Sequence, residues 1–342
     1  MTQQQTSSPH LRAARSTEEI MLRVLLALMP GIIAMAHFFG AGVFTNIIGA
    51  CIAAVLCESL CLRLRDRPLL LYLKDYSAVV TAVLLALALP PYSPWWLITI
   101  GTVAAIALAK HIFGGLGSNP FNPAMVGYVV LLISFPVQMT QWTAPSSLAA
   151  NPGVWDSVLA MIGSEAYDAV TMATPLDLLK QNDGFMVSAL WQQYPQFGRF
   201  SGVGWEWINL AFLAGGVWLL QQKIFTWHAP VGMLAVLGLM SALFYDGGSS
   251  SSGGSPLFHW LSGATMLGAF FIVTDPVSGA TSNLGRLIFG ALVGLLVYCI
   301  RVWGSYPDAV AFAVLLMNFA APFIDYYTQP KPYGYQARDT DK

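Results

Sequence analysis

Residues 43–62 read VFTNIIGACIAAVLCESLCL, twenty residues with a single charge, Glu58, near the far end. A helix rising 1.5 Å per residue carries such a stretch across ~30 Å of hydrocarbon. Working outward, further apolar runs lie at Ile20–Phe39, Ser77–Leu89, Trp96–Ala109, Met125–Pro136, Ile208–Leu220, Val231–Phe244, Phe258–Val273, Leu287–Val302 and Ala309–Ile324. The expected fold is an all-α membrane protein of roughly ten transmembrane helices. The third and fifth runs are short, and short or Gly/Pro-interrupted spans mark helices that stop inside a bundle and leave backbone groups to line a site.

Composition agrees. Of 342 residues, 56% are hydrophobic and 10% charged, whereas a soluble chain carries about 25% charged residues to solvate its surface. The net charge of −1 offers no basic face for nucleic acid. The segment ahead of the first span shows no cleavage signal of the small-x-small kind, so no cleaved leader is expected. Cys51, Cys57, Cys61 and Cys299 all lie in apolar stretches and are expected to act as small hydrophobes. His111 and His228 stand singly at span ends, which argues against a metal site.

The basic residues set the orientation. With the N-terminus inside, Arg12, Arg15, Arg23, Arg63, Arg65, Arg67, Lys74, Lys110, Lys223, Arg286, Lys331, Arg338 and Lys342 face the cytoplasm, and only Lys180, Arg199 and Arg301 fall outside. The expected division is a cytoplasmic tail over 1–19, a first membrane half over 20–137, a periplasmic loop over 138–204, a second half over 205–325 and a cytoplasmic tail over 326–342. Trp95, Trp96, Trp142, Trp205 and Trp207 fall at outer span ends, where an interfacial aromatic belt is expected. The loop carries Trp155, Tyr167, Trp191, Tyr194 and Phe197 among few charges, too apolar for a free linker.

Within that loop runs Asp168-Ala169-Val170-Thr171-Met172-Ala173-Thr174-Pro175-Leu176-Asp177. The proline biases Thr174 towards extended backbone, which suits an accessible acceptor hydroxyl. The same residues read equally well as a helix start, with Thr174 at the N-cap, Pro175 at N1 and Asp177 at N3. Both readings are compatible. A second match to the same spacing, Asp275-Pro276-Val277-Ser278-Gly279-Ala280-Thr281, falls on the cytoplasmic side, and Ser262-Gly263-Ala264-Thr265 lacks the acid.

The pattern Asp-x-x-Ser/Thr-x-Ala-Thr resembles the recognition sequence of flavin transferases that attach FMN to threonine through its phosphate. The chain resembles the RnfD family, membrane subunits of the Rnf electron-transport complex, and less closely the NqrB subunits of the sodium-translocating NADH:quinone reductase. The likeness covers nearly the whole length. It includes Lys74-Asp75 with Ser77, the run Gly114-Gly115-Leu116-Gly117-Ser118-Asn119-Pro120-Phe121-Asn122-Pro123-Ala124, and Gly216-Val217-Trp218-Leu219-Leu220. It continues in Leu261-Ser262-Gly263-Ala264-Thr265, Thr274-Asp275-Pro276-Val277, Gly285-Arg286-Leu287-Ile288-Phe289-Gly290 and Ile324-Asp325-Tyr326-Tyr327.

The resemblance implies two inverted five-helix halves in a bacterial inner membrane and FMN bound covalently to Thr174. Asp168, Thr171 and Ala173 would be read by the transferase, and a second, non-covalent flavin such as riboflavin is also accommodated. It further implies the other Rnf complex proteins, RnfA, RnfB, RnfC, RnfE and RnfG, as partners, membrane lipid around the chain, and Na+ or H+ as the transported ion. In the family the transferase works on the outer face, which favours Thr174 and leaves Thr281 as runner-up. The chain is then a subunit of a redox-driven ion translocase linked to ferredoxin and NAD, not catalytic alone. A dinucleotide fingerprint and a four-cysteine cluster motif are both missing from the sequence, which assigns those cofactors to other subunits. The alternative class is a secondary transporter or channel subunit without a redox cofactor. Among ionisable residues near spans, Glu58, Asp75, Lys110, Asp246, Asp275, Asp308 and Asp325 are ion-path candidates, with Glu58 the best placed and Arg63 its expected partner.

Overall fold

The computed structural model describes residues 15–163, 171–182, 184–306 and 308–329. Among these the regular structure is helical, apart from two isolated antiparallel bridges, Thr143 with Thr171 and Phe197 with Gly202. In the first half, α1 (Thr17–Phe39) and α2 (Gly42–Leu64) are followed by a short α3 (Leu69–Leu73) and α4 (Ser77–Ala88). Next come α5 (Trp95–Val103), which continues as a π-helical segment Ala104–His111, then α6 (Pro123–Ser134) and α7 (Pro136–Thr140). The long loop holds α8 (Val154–Ile162), α9 (Pro175–Lys180) and α10 (Val187–Gln193). The second half is α11 (Trp205–Gln221), α12 (His228–Leu243), α13 (Pro256–Leu261), α14 (Thr265–Leu267) continuing as π-helical Gly268–Ile272, α15 (Asn283–Val302) and α16 (Val310–Thr328).

Every apolar run expected from sequence is helical, the eighth in two pieces. Thr17–Phe39, Gly42–Leu64, Asn283–Val302 and Val310–Thr328 are long and apolar enough to cross a membrane. The twelve-residue α4 and α6 reach only ~18 Å and stop short of a full crossing. A true break lies elsewhere, in the eighth span, where Ser262–Ala264 separate α13 from α14. The outward faces are apolar, with Leu26, Ile33, Ile48, Leu56, Phe319 and Phe323 exposed, while Asn46, Glu58, Lys110, Asn209, Arg301 and Asn318 are buried. That distribution suits a lipid solvent, since a polar group facing hydrocarbon is costly unless it is paired inside.

The two halves are built alike and run in opposite senses. In each, the second helix packs on the fourth: α2 on α5 and α12 on α15. The first helices of the halves pair antiparallel, because Gly204, Phe212 and Gly215 of the α11 segment meet Phe38, Gly31 and Ala27 of α1 in reversed order. Small residues permit these close approaches. A Cβ on Gly215 would lie 1.9 Å from the Ala27 carbonyl oxygen, and one on Gly290 would lie 2.1 Å from that of Ala229.

The aromatic belt is only partly as expected. Trp95 and Trp207 are exposed at helix ends, but Trp142 and Trp205 turn inward and pack with Phe39, their ring centroids 5.1–5.8 Å apart. Three mutually packed rings bury more apolar surface than they would at the interface. The loop over 138–204 is tied to the bundle: Ser146 Oγ donates to the His37 carbonyl and Asn151 Nδ2 to that of Phe38. It has a minor core of its own, in which Leu176, Leu190 and Phe197 pack against Phe258 of α13.

Candidate functional site

Thr174 sits where sequence placed it, at the start of a helix. Its Oγ1 accepts from the Asp177 backbone N–H at 3.3 Å and donates to Asp177 Oδ2 at 2.6 Å, while the Thr174 N–H donates to the same carboxylate at 3.0 Å. This reciprocal cap, with Pro175 at N1, begins α9. Upstream, the bridge between Thr143 and Thr171 and the bond from Met172 N–H to the Trp142 carbonyl, 2.8 Å, clamp the chain against the end of α7. Ala173 is exposed and Thr171 half-buried. Asp168 lies outside the described residues.

The same threonine lines a cleft of about 1040 Å3, counted out to its open mouth. Its walls are Met35 of α1, Met125 and Tyr128 of α6, Trp142, Trp205 and Phe212 of α11, and the break Ser262–Ala264 together with Asp308. Tyr128, Trp142, Trp205 and Phe212 give that wall flat apolar surface of the kind a ring system packs on. A second, much smaller crevice, lined by Phe39, Thr143, Ala173 and Gln196, also touches Thr174 and shares Trp142 and Trp205 as walls.

The broken span is held open by Asn209, which sequence reading did not single out, and by Arg301 and Asp308, which it named for other reasons. Asn209, in the second turn of α11, donates through Nδ2 to the carbonyls of Trp205, Leu261 and Gly263 and accepts through Oδ1 from the Met266 N–H. Arg301 at the end of α15 donates to the carbonyls of His259 and Ser262, to Thr265 Oγ1 and to Asp308 Oδ1. Asp308 Oδ2 accepts from the Ala264 N–H at 3.0 Å. The backbone groups freed by the break are thereby satisfied inside the bundle, as hydrocarbon demands. The readable signal for Asn209 was an amide inside an apolar run.

Thr281 is placed differently. It is exposed in the turn between the π-helical Gly268–Ile272 and α15, its N–H donating to Asp325 Oδ1 at 2.8 Å, and it lines neither cavity. Asp275 accepts from the Val277 N–H and Ser278 Oγ in that turn, while Ser282 caps α15. The turn meets the glycine-rich loop over 114–122 across the two halves: Asn122 Nδ2 reaches Asp275 Oδ2 at 3.4 Å, and Asn318 joins Asn122 N–H to the Ser278 carbonyl.

Glu58 does not pair with Arg63, which is exposed on the far side of α2. It is 2% exposed and meets Lys110, also 2%, and His111, 7%, from the π-helical segment of α5. Five residues along an α-helix turn through about 500°, so Arg63 points well away from Glu58. Of the other candidate acids, Asp75 and Asp246 serve local structure. Asp75 caps Ser77, and Asp246 accepts from Ser249 and Ser251 in an exposed turn.

Comparison with known proteins places this geometry in a lineage. The family described as "NQR2, RnfD, RnfE family" matches residues 4–334. A protein of Cellvibrio japonicus, named as the D component of an ion-translocating oxidoreductase complex, is 56% identical over 336 residues, covering 96% of this chain and 94% of that protein. Proteins of the same name from Ectopseudomonas mendocina and Vibrio cholerae are 59% identical over 330 residues and 51% over 347, covering 96% of this chain in each case and 95% and 98% of theirs. With the match running through both membrane halves and the loop between them, this chain belongs to the NQR2, RnfD, RnfE family.

Proposed function

We propose that the chain is the membrane subunit of an ion-translocating, ferredoxin- and NAD-linked electron-transport complex, and that it relays electrons through FMN esterified to Thr174. The observation that carries this reading is the position of Thr174 on the wall of an aromatic- and methionine-lined cleft. The residues present fit the group. Trp142, Trp205 and Tyr128 offer flat apolar surface for a ring system, and Thr174 offers the acceptor oxygen beside it.

FMN when bound supplies the chemistry of taking electrons in a pair and passing them on singly. The protein's residues supply place and protection. Asp177 Oδ2, 2.6 Å from Thr174 Oγ1, would take the hydroxyl proton as that oxygen displaces the leaving group from the phosphorus of an activated FMN donor held by the transferase, the leaving group departing with the enzyme. The clamp of Met172 on Trp142 fixes the approach of the motif to the cleft, and the Phe39–Trp142–Trp205 cluster walls it from the loop side. In this reading both termini are cytoplasmic, the loop over 138–204 is periplasmic in an inner membrane, and the other subunits carry the NAD site and the iron–sulfur clusters.

The test is denaturing electrophoresis under ultraviolet light, using chain expressed together with a flavin transferase. A fluorescent band is expected that disappears in Thr174→Val and persists in Thr281→Val. A dark wild-type band, or loss of fluorescence in Thr281→Val alone, refutes the assignment.

A further inference from the structure

The buried charges of the first half line neither of the cavities that Thr174 lines. Glu58 sits six residues before the end of α2, about 9 Å along the helix axis from it. Lys110 Nζ donates to Glu58 Oε1 at 2.9 Å, to Oε2 at 3.0 Å and to Ser77 Oγ at 2.8 Å. An ammonium has three N–H donors, and here all of them end on oxygen. Ser77 Oγ donates onward to Asp75 Oδ1 at 2.6 Å, so its lone pairs are turned towards the cation.

On the other side of the carboxylate, His111 Nε2 lies 3.1 Å from Glu58 Oε2, close enough for an ion pair but without hydrogen-bond geometry, and both His111 ring nitrogens are buried with no hydrogen-bond partner. Two adjacent residues reach one carboxylate because both belong to a π-helical segment, a feature that recurs at functional sites. The remaining titratable groups nearby are Cys57 and Cys61, on the same helix as Glu58.

Taking a carboxylate and an ammonium out of water costs several kcal/mol per ion, and a pair kept only for packing is replaceable by apolar residues of similar volume. Two carboxylate oxygens and a hydroxyl around a single positive charge also form the ligand set that a hard monovalent cation seeks. Exchanging the ammonium for another cation leaves the local charge unchanged, so it avoids the cost of a bare buried carboxylate.

We propose that Glu58, Ser77 and Lys110 form an exchange site for the transported monovalent cation, in which the Lys110 ammonium is a tethered stand-in that the ion displaces. The proposal rests on the reading of the chain as part of an ion-translocating complex and is independent of where the flavin is attached. Sodium ion and proton share this chemistry, and separate arms of the experiment distinguish them.

The complete complex is reconstituted in vesicles, and cation uptake per electron transferred is followed with radioactive sodium in one arm and with a pH-sensitive dye in sodium-free buffer in the other. The double variant Glu58→Gln/Lys110→Met removes both charges together and leaves no unpaired ion. It is expected to assemble with its fluorescent band intact and to move at least about tenfold fewer cations per electron, the loss of roughly one good ligand interaction or more. Ser77→Ala keeps the ion pair and removes one cage oxygen. It is expected to raise the sodium concentration for half-maximal uptake about tenfold if sodium is the ion, or to move the pH profile of uptake if the proton is. Wild-type transport by the double variant, or unmoved sodium and pH profiles in Ser77→Ala, overturns the exchange site. Absence of any cation movement in the wild-type complex overturns the ion-translocation reading itself.

Discussion

Arg301→Met tests how the cleft wall is held. Arg301 is 4% exposed and donates to the His259 carbonyl at 3.0 Å, the Ser262 carbonyl at 3.4 Å, Thr265 Oγ1 at 3.0 Å and Asp308 Oδ1 at 3.1 Å. Methionine replaces the stem of the side chain and none of the donors. Thr265 Oγ1 lies 2.8 Å from the carbonyls of both His259 and Ser262 but has one hydrogen to give, so one of the two keeps a bond and the other loses its donor. Asp308 fares worse. It retains the Ala264 N–H at 3.0 Å and the Val310 N–H at 3.4 Å but loses its counter-charge, and its side chain is 26% exposed.

Breaking a fully buried pair costs 3–5 kcal/mol, and partial solvation of Asp308 places this case at the lower end, about 3 kcal/mol. The double variant Arg301→Met/Asp308→Asn removes the orphaned charge and is expected to recover about half of that loss. The assay is reversible unfolding of the purified chain in mixed detergent and dodecyl sulfate, followed by tryptophan fluorescence. A single variant within about 1 kcal/mol of wild type, or a double variant no better than the single, refutes the argument that this ion pair holds the break open.

Other expectations follow from the same geometry. Gly290→Ala places a Cβ 2.1 Å from the Ala229 carbonyl oxygen, so α12 and α15 must separate, and the same unfolding assay should show a loss of about 1–3 kcal/mol. Thr174→Val removes the reciprocal cap of α9 at a cost of about 1 kcal/mol, whereas Thr174→Ser keeps it, so comparing their unfolding midpoints separates the capping role from the flavin role. Burial lowers the Lys180 ammonium below its ordinary 10.5, with the Asp177 carboxylate opposing, so the folded chain gives up this proton before the unfolded chain does. Stability is therefore expected to rise as pH climbs through the depressed value towards 10.5, and Lys180→Met should flatten that rise in a pH series of unfolding curves.

The spans were legible because a run of apolar residues long enough to cross hydrocarbon has few other uses, and the cap at Thr174 was legible because Thr-Pro-x-Asp is a local instruction. What escaped was non-local or lacked a compositional mark. Glu58 finds Lys110 fifty-two positions away, through a π-helical segment that no residue pattern announces. Trp142 and Trp205 look like interfacial anchors by position, and only the fold shows that Phe39 draws them inward. The break at Ser262–Ala264 was hidden inside an apolar run because its polar supports, Asn209 and Arg301, come from other helices.

Those supports expose a relation between the halves that is absent from the residue order. In each half one buried cation stands at the end of the fourth helix and reaches back to the beginning of the third span: Lys110 to Ser77, and Arg301 to His259 and Ser262. Because the halves are inverted, the two cations lie towards opposite ends of the bundle. Their partners differ in a way that follows from what each end must do. Arg301 spreads a planar fork over fixed carbonyls and its own acid, a geometry suited to holding a broken helix rigid beside the cleft. Lys110 places a compact ammonium on a flexible stem within a cage of three oxygens, a geometry suited to leaving and returning. If that contrast in side-chain chemistry is the cause, Arg301→Lys weakens the cleft wall through lost donors, and Lys110→Arg preserves the ion pair yet slows cation exchange.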